Sequence, residues 1–354
     1  GNRVRERGQK EASQSVTSVF LLCFHTPDSK KMLPLGPLPV RSMVPTPAGL
    51  KLAALSTLYK FSVMSFNMLA QCYTRSEFFP NVQPKAELKW NRRGPKIVDE
   101  ILRYAPDVVC LQECDCWDDF LLAKMQSNGF FGIWKQKSGK KDGVAILWKT
   151  EKFNLIRQDS VEYNLKGGVG IMAMLQPKPD AGQDTSPAFC VANTHLFWNP
   201  EMEYIKLKQA QIYLSRISDF AAGASCVVCG DLNSMPSSDC YSLFISGKVT
   251  HTYTPVVSDD EVSGQVQGGG ETTTEVFSSP LELTSAYDPP PEFTTLTDNF
   301  RGCLDHIFIT KNFQTISCLE MFREETILEE KSLPSSRYPS DHMACMACIT
   351  YLEH

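Results

Sequence analysis

The sequence predicts an α/β fold in which mixed β-sheets pack as a layered sandwich. Strand-like and helix-like segments are interleaved from residue 60 onward, yet several strand-like segments follow one another without a helix between them. A doubly wound parallel sheet needs a helix between successive strands, so this order favours the sandwich. With 42% hydrophobic and 21% charged residues, the chain has enough apolar material for a sizeable core, which excludes wholesale disorder.

Hydrophobic periodicity predicts the individual elements. Residues 61–66 alternate in polarity, as a half-buried strand does. Within 88–104, Ile97 and Ile101 recur at helical spacing, and Pro106 follows the end of that pattern. The predicted strands are 61–66, 108–111, 143–148, 189–194, 226–229, 304–310 and 343–351, and the predicted helices are 88–104 and 201–220.

Two stretches lack this periodicity. Residues 1–59 are basic and rich in proline, which predicts a disordered N-terminal extension, with an organelle-targeting leader as the alternative. Residues 60–354 form the predicted globular domain. Within it, residues 256–292 combine acidic, glycine, threonine and proline runs, which predicts a flexible surface insertion.

Charge and cysteine content exclude several classes of protein. Residues 1–60 carry nine basic and three acidic side chains, a net charge of +6. Because the whole chain has a net charge of −5, residues 61–354 have a net charge of −11. An acidic body argues against gripping nucleic acid through bulk charge, but suits a protein that gathers carboxylates around metal ions. Thirteen cysteines without framework spacing lie mostly in apolar runs, which indicates buried thiols in a reducing compartment. No stretch has the length and apolarity of a membrane span.

Several predicted strands begin or end in polar residues that can carry chemistry. These residues are Asn67, Glu113, His195, Asp231, Asn233, Asp305, Asp341 and His342. Singly, each would be read as a turn former or a structural residue. Because strand ends at one rim of a sandwich converge, together they predict a pocket. Its oxygen donors suit Mg²⁺, and its histidines can transfer protons or contact a phosphate.

The ordered set resembles the motif series of the endonuclease–exonuclease–phosphatase superfamily, which has the DNase I-like fold, across residues 61–350. The resemblance implies a four-layer α/β/β/α sandwich of two mixed β-sheets. Finer motifs resemble the CCR4-type deadenylase and nocturnin branch of that superfamily, and they lie at residues 65–70, 88–93, 106–113, 142–146 and 338–342.

The resemblance implies a metal site for three of these residues. Glu113 would hold Mg²⁺, with Mn²⁺ as the alternative ion. Asn67 would lie beside Glu113, and Asp341 would support the metal cluster. These residues are compatible with a site that binds one metal ion and with a site that binds two.

The resemblance also implies catalytic roles for five residues. Asp231 and Asn233 would orient the attacking water or a second metal ion. His342 would act as a general base or contact the phosphate, and Asp305 would orient it. His195 would stabilise the pentacoordinate phosphate.

Five further residues are predicted to contact substrate. Pro200 resembles a proline that packs on a base in CCR4-type enzymes, and Asn193 lies in the same segment. Phe300 resembles a phenylalanine that stacks on adenine, a contact that needs no sequence-specific hydrogen bond. Lys206 and Arg301 are candidate phosphate contacts.

The chain departs from the family pattern in two respects. His306 stands where the family commonly has tyrosine, so the local contact of that tyrosine does not carry over. The leucine-rich region of the CCR4 protein is absent from this sequence, so docking to the CCR4-NOT complex through that region does not carry over.

The resemblance implies a Mg²⁺-dependent 3′–5′ exoribonuclease that removes poly(A) tails from mRNA and releases 5′-AMP. The alternative is a nocturnin-like phosphatase acting on the 2′-phosphate of NADP(H), and the alternative of another class is a non-catalytic RNA-binding scaffold. We expect the RNA 3′ poly(A) tail as partner, no membrane association and a monomer. We expect a cytoplasmic location, with the mitochondrion or plastid as alternatives if the extension is a transit peptide, and the nucleus as a further alternative.

Overall fold

A computed structural model of the protein describes residues 38–52, 59–179, 186–259, 266–268, 270–329 and 331–352. The strands are β1 (Met43–Pro45), β2 (Lys60–Asn67), β3 (Val108–Gln112), β4 (Phe130–Gln136), β5 (Gly143–Lys149), β6 (Phe153–Glu162), β7 (Val169–Pro177), β8 (Phe189–His195), β9 (Cys226–Asp231), β10 (Lys248–Tyr253), β11 (Val256–Asp259), β12 (Val266–Gly268), β13 (Thr273–Ser278), β14 (Leu283–Ser285), β15 (Thr295–Leu296), β16 (Arg301–Gly302), β17 (Asp305–Thr310), β18 (Phe313–Leu319) and β19 (Cys345–Tyr351). The α-helices are α1 (Pro47–Leu52), α2 (Trp90–Tyr104), α3 (Leu122–Gln126), α4 (Glu203–Ala221), α5 (Asp239–Ser246) and α6 (Glu324–Leu328).

Two mixed sheets form the centre of the described fold. One has the strand order β1-β18-β19-β2-β3-β5-β4, and the other has the order β14-β17-β9-β8-β7-β6. Each sheet contains one parallel pair, β2 with β3 and β8 with β9. Parallel neighbours need a crossover connection, and α2 and α4 lie in these two connections.

Three apolar layers hold the sheets and helices together. Val63 and Val191 belong to the layer between the two sheets. On the outer face of the first sheet, Val109 packs in one cluster with Ile101 of α2. On the outer face of the second sheet, Val228 shares a cluster with α4 and α5 residues. Successive side chains of a strand point to opposite faces of the sheet, so each strand contributes side chains to two apolar layers. The predicted four-layer sandwich is confirmed.

The strand arrangement brings the predicted site residues to one edge. The parallel pairs end at Asn67 and Gln112 in one sheet and at His195 and Asp231 in the other. The antiparallel strands β17 and β19 begin at the same edge, where Asp305 pairs with Asp231. Six separate segments of the chain therefore meet at one rim of the sandwich.

The predicted strands and both predicted helices are present, but two domain boundaries need correction. Residues 38–52, assigned to the extension, contain β1, which pairs with β18, and a short helix. Proline is tolerated there because β1 is an edge strand and Pro47 begins the helix. The rest of the predicted extension, 1–37 and 53–58, lies outside the described residues.

The predicted flexible insertion at 256–292 also contains ordered strands. Within it, β13 pairs with β10, and β14 joins the edge of the six-stranded sheet. Phe277 and Leu283 are buried in the core beneath α4 and α5, which explains why these strands are fixed. Residues 260–265 and 269 of the insertion lie outside the described part of the chain.

Two other sequence predictions concern thiols and membranes. The cysteines that the structure describes are all free thiols, and most are buried. Across the described ranges, no helix has the length and apolarity needed to cross a membrane.

Candidate active site

The strand ends open into a cleft of about 670 Å³. Six of the predicted metal and catalytic residues line it, namely Glu113, His195, Asp231, Asn233, Asp341 and His342. The two others, Asn67 and Asp305, lie buried directly behind this lining and bond to it. The structure therefore brings together all eight residues predicted for metal binding and catalysis.

Three segments turn towards the cleft at residues whose backbone has a left-handed conformation. Leu69, Glu113 and Asn233 have φ values of 56°, 55° and 49°, each just after a strand. Leucine and glutamate adopt this conformation rarely, so surrounding contacts must hold it in place. For Glu113, one such contact is the hydrogen bond from the Ala70 amide to Oε2, at 2.9 Å.

One side of the cleft is acidic. Asn67 Nδ2 donates to Glu113 Oε1 at 3.1 Å and to Asp231 Oδ2 at 2.9 Å, so one amide orients two carboxylates. Burial and the Asp341 carboxylate raise the pKa of Glu113 to about 7, and burial raises the pKa of Asp341. These shifts mean that burial and mutual repulsion outweigh the attraction of nearby cationic side chains.

This acidic pair suits a divalent cation. A cation would favour the charged form of both carboxylates against the burial that raises their pKa values, and carboxylate oxygens are the ligands that hard cations prefer. Glu113 and Asp341 would hold the ion beside Asn67, and the ion would supply positive charge to phosphate oxygens. A second group also has donor atoms within 4.8 Å of one another, namely Asp231, Asp305 and His342.

The other side of the cleft is built from two histidines facing one carboxylate. Asp231 Oδ2 lies 3.6 Å from His195 Nε2 and 3.8 Å from His342 Nε2. Asp231 Oδ1 accepts from the Asn233 amide at 2.9 Å, which fixes the carboxylate. The side-chain Nδ2 of Asn233 lies 3.0 Å from His195 Nε2, so both histidines, Asn233 and this carboxylate form one polar side of the cleft.

The two histidines differ in charge. Burial would lower the pKa of His342, but the carboxylates of Asp305 and Asp231 outweigh it and raise the pKa well above its ordinary value. The Nδ1 atom of His342 lies 2.7 Å from Asp305 Oδ2. Burial and the Lys137 ammonium lower the pKa of His195 to about 3. The surroundings of His342 therefore favour its cationic form, and those of His195 favour its neutral form.

Two neighbours that the sequence did not reveal support the histidines: Thr294 bonds the Asp305 partner of His342, and Lys137 lies beside His195. Thr294 Oγ1 donates to Asp305 Oδ2 at 2.6 Å, behind His342. Lys137 Nζ lies 3.1 Å from His195 Nδ1 and 2.8 Å from Asp142 Oδ2. Asp142 begins the family-like motif at residues 142–146, so the sequence could have identified it as a site residue. Nothing in the sequence marks Lys137 or Thr294.

Burial contradicts two predicted substrate contacts, Asn193 and Lys206, whereas the contact predicted for Arg301, whose side chain is 32% exposed, stays a prediction. Asn193 is fully buried, and its Nδ2 donates to Leu111 O and Ala145 O between the sheets. Lys206 is 2% exposed and donates to Asn233 O at 2.8 Å, so it supports the loop behind the cleft. Arg301 pairs with carboxylates outside the cleft, one of them Glu324 at 2.8 Å.

Pro200 and Phe300 are exposed but do not line the described cleft. Pro200 begins a short 3₁₀ helix, Pro200–Met202, which Asn199 caps through its side-chain oxygen. Phe300 lies on the β15–β16 hairpin and packs over Gly302, where a β-carbon would collide with its ring. Both residues make these local contacts while staying exposed, and their predicted base contacts stay predictions.

His306, which stands where the family commonly has tyrosine, is buried behind the cleft. Its Nε2 atom lies 3.0 Å from Ser234 O, and its ring stacks on Phe308. Burial lowers the pKa of His306 to about 4. A neutral imidazole thus fills a structural position here and does not reach the cleft lining.

Comparison with known proteins identifies several relatives of this chain. The chain is 29% identical over 340 residues to carbon catabolite repressor protein 4 homolog 4 of Arabidopsis thaliana, covering 80% of this chain and 76% of that protein. It is 29% identical over 323 residues to 2′,5′-phosphodiesterase 12 of Homo sapiens, covering 81% and 51%. It is 38% identical over 227 residues to protein angel homolog 2 of Bos taurus, covering 59% and 40%. The chain thus spans about half or less of the last two proteins.

Solved structures agree with this grouping. ANGEL2, described as a 2′,3′-cyclic phosphatase in complex with adenosine-2′,3′-vanadate, superposes with a TM-score of 0.71 at 28% identity, covering 84% of this chain and 97% of that one. The human Nocturnin catalytic domain superposes with a TM-score of 0.61 at 25% identity, covering 88% and 97%. Residues 64–342 match the endonuclease/exonuclease/phosphatase family. The chain therefore belongs to that family and is a hydrolase of the exonuclease/phosphatase type.

Proposed function

We propose that the protein is a divalent-metal-dependent 3′–5′ exoribonuclease that hydrolyses the terminal phosphodiester of poly(A) RNA and releases 5′-AMP. The observation that carries the proposal is the meeting of Glu113, Asp231, His195 and His342 in one cleft. We propose Mg²⁺ as the ion, because the acidic side of the cleft offers oxygen ligands only.

The residues divide the work of hydrolysis at phosphorus. Such a reaction needs an oriented water, charge neutralisation on the phosphate and help for the leaving oxygen. Asp305 holds His342 through Nδ1 and favours its protonated form, so we assign His342 to donate a hydrogen bond to a phosphate oxygen. Asp231, fixed by Asn67 and the Asn233 amide, is left to orient the water and receive its proton.

The relatives support a substrate that carries a ribose-linked phosphodiester. One is named as a CCR4 homolog and another as a 2′,5′-phosphodiesterase. The likeness to ANGEL2 favours a second candidate, namely opening of a 2′,3′-cyclic phosphate at an RNA end. Both reactions need the same water, cation and phosphate contacts at the RNA terminus.

Two other readings remain testable. A nocturnin-like activity on the 2′-phosphate of NADP(H) would use the same cleft, and Nocturnin is among the structural relatives. A non-catalytic scaffold is less consistent with a cleft in which all eight predicted metal and catalytic positions are assembled. A monomer in the cytoplasm stays our prediction.

A panel of four substrates tests the proposal. Purified protein with Mg²⁺ is offered 5′-labelled oligoadenylate ending in a 3′-hydroxyl, the same oligomer ending in a 2′,3′-cyclic phosphate, a 2′–5′-linked oligoadenylate, and NADPH. We expect a ladder of shortened 3′-hydroxyl RNA with AMP release. Phosphate release from NADPH with intact RNA would overturn the assignment, and exclusive opening of the cyclic phosphate would establish the second candidate.

The matched control replaces one carboxylate. Glu113→Gln keeps the shape and removes the charge, and we expect activity to fall by roughly 10³-fold, as for loss of one strong electrostatic contact. Glu282→Gln removes an exposed carboxylate, paired with Lys311, and should leave activity unchanged. Full activity in Glu113→Gln would refute the metal assignment.

A further inference from the structure

Two hairpin turns place lysines at the mouth of the cleft. The β4–β5 turn carries Lys140 and the β6–β7 turn carries Lys166; both side chains are exposed and both line the cleft. The turns come from different sheets, and Ser138 Oγ joins them by donating to Glu162 Oε2 at 2.6 Å. A cationic rim of two lysines thus borders the acidic centre of a chain whose net charge is −5.

Exposed aromatic rings line the same cleft. Phe78 is 57% exposed, Trp198 is 47% exposed and Tyr73 is 36% exposed. Large rings left in water are unfavourable, so their concentration at one opening marks a binding surface. Lysines beside exposed aromatic rings are the combination that binds single-stranded nucleic acid, because rings stack on bases and ammonium groups attract phosphates.

We propose that the cleft mouth is a binding track for single-stranded RNA, in which Phe78 and Trp198 stack on bases and Lys140 and Lys166 contact backbone phosphates. The inference rests on the proposed function and deepens it. The track makes the enzyme prefer a polynucleotide to a substrate with a single phosphodiester. It also assigns base contacts to residues other than Pro200 and Phe300.

Comparison of a long and a short substrate tests the track. The substrates are an oligoadenylate of about 20 nucleotides and the dinucleotide ApA, and the variants are Lys140→Ala with Lys166→Ala, and Phe78→Ala with Trp198→Ala. We expect each double variant to raise KM for the oligomer by roughly tenfold or more and to leave kcat/KM for ApA within about twofold.

Salt dependence provides a second readout of the lysines. Each phosphate contact on a single strand contributes about 0.7 to the slope of log affinity against log salt, so losing two should reduce the slope by about 1.4. Lys248→Ala and Phe131→Ala are the matched controls, because both side chains are exposed outside the cleft lining. The controls should change neither the slope nor KM.

The outcomes separate the track from the proposed function. Cleavage of ApA and the oligomer with equal efficiency would overturn the track and leave the exonuclease assignment standing. Equal losses on both substrates in the double variants would also overturn it, because these residues would then act at the reacting phosphate. Failure of the unmodified protein to cleave either RNA would instead overturn the proposed function.

Discussion

The two sheets each contribute one β–α–β unit to the cleft, and the units carry different chemistry. In the β2–α2–β3 unit, β2 ends at Asn67 and Glu113 follows β3, and these two residues form the acidic side. The β8–α4–β9 unit ends at His195 and Asp231, which form the histidine side. The same topology thus delivers a cation site from one sheet and proton and phosphate contacts from the other.

The crossover helices anchor the two sides in different ways. Arg93 of α2 is 1% exposed and donates to four carbonyls, those of Met68, Leu69, Leu88 and Pro339, at 2.7 to 3.2 Å. Lys206 of α4 is 2% exposed and donates to the carbonyl of Asn233. A guanidinium has five donors in a planar fork, so it can join separate segments, whereas an ammonium is a compact point charge.

Replacing Arg93 should lower the free energy of unfolding more than replacing Lys206. We expect Arg93→Met to lower the free energy of unfolding by about 3–5 kcal/mol, because several buried carbonyls lose their donor. Lys206→Met should cost about 1–2 kcal/mol, since one carbonyl and the Glu203 carboxylate lose theirs. Urea unfolding of both variants measures the difference. An equal loss in the two would contradict the role given to the guanidinium fork.

In the metal-free protein, the contribution of Glu113 to stability should fall as pH rises. The pKa of Glu113, about 7, lies above its ordinary 4.5, so the folded protein keeps this proton to higher pH than the unfolded chain. The Glu113 contribution therefore falls between about pH 4.5 and about pH 7, whereas the lowered pKa values of His195 and His306 give contributions that rise with pH in this range. The effect is on the order of 1 kcal/mol, since the group is half-buried and partly screened.

Addition of Mg²⁺ should reverse this loss, because the cation takes the place of the proton. We expect Mg²⁺ to raise Tm more at about pH 8 than at about pH 5.5. Glu113→Gln, which cannot titrate, should lose this difference between the two pH values. Thermal melts with and without Mg²⁺ at both pH values check it, and an equal rise in the unmodified protein would contradict the metal site.

Strand-end chemistry was predictable from the sequence, but side-chain direction was not. Asn67 and Asp231 stand out because apolar runs stop abruptly there, and strand ends at one rim converge whatever the details of packing. Lys206 lies on an amphipathic helix, and its partner Asn233 is brought near only by folding. Asn193 similarly continues a buried strand, and its bonds reach across to the other sheet.

The boundary errors have the same cause. The β13 and β14 strands are short and lie among glycine and proline runs, so local composition favours a loop. They are fixed by pairing with β10 and β17 and by the burial of Phe277. Likewise, β1 is a three-residue edge strand whose partner β18 lies at the other end of the chain. Long-range pairing of this kind leaves no local periodic signal.

The smallest expected effect is a change in KM for oligoadenylate when residues outside the cleft lining are replaced. Pro200 and Phe300 lie outside the cleft lining, whereas Trp198 lies within it. We expect Phe300→Ala and Pro200→Ala to change KM for oligoadenylate by less than about twofold, because neither removes a stacking surface from the cleft. Steady-state kinetics beside Trp198→Ala makes the comparison. A tenfold rise in KM for Phe300→Ala would mean that the β15–β16 hairpin folds over the bound strand, and that base recognition lies on the histidine side of the cleft.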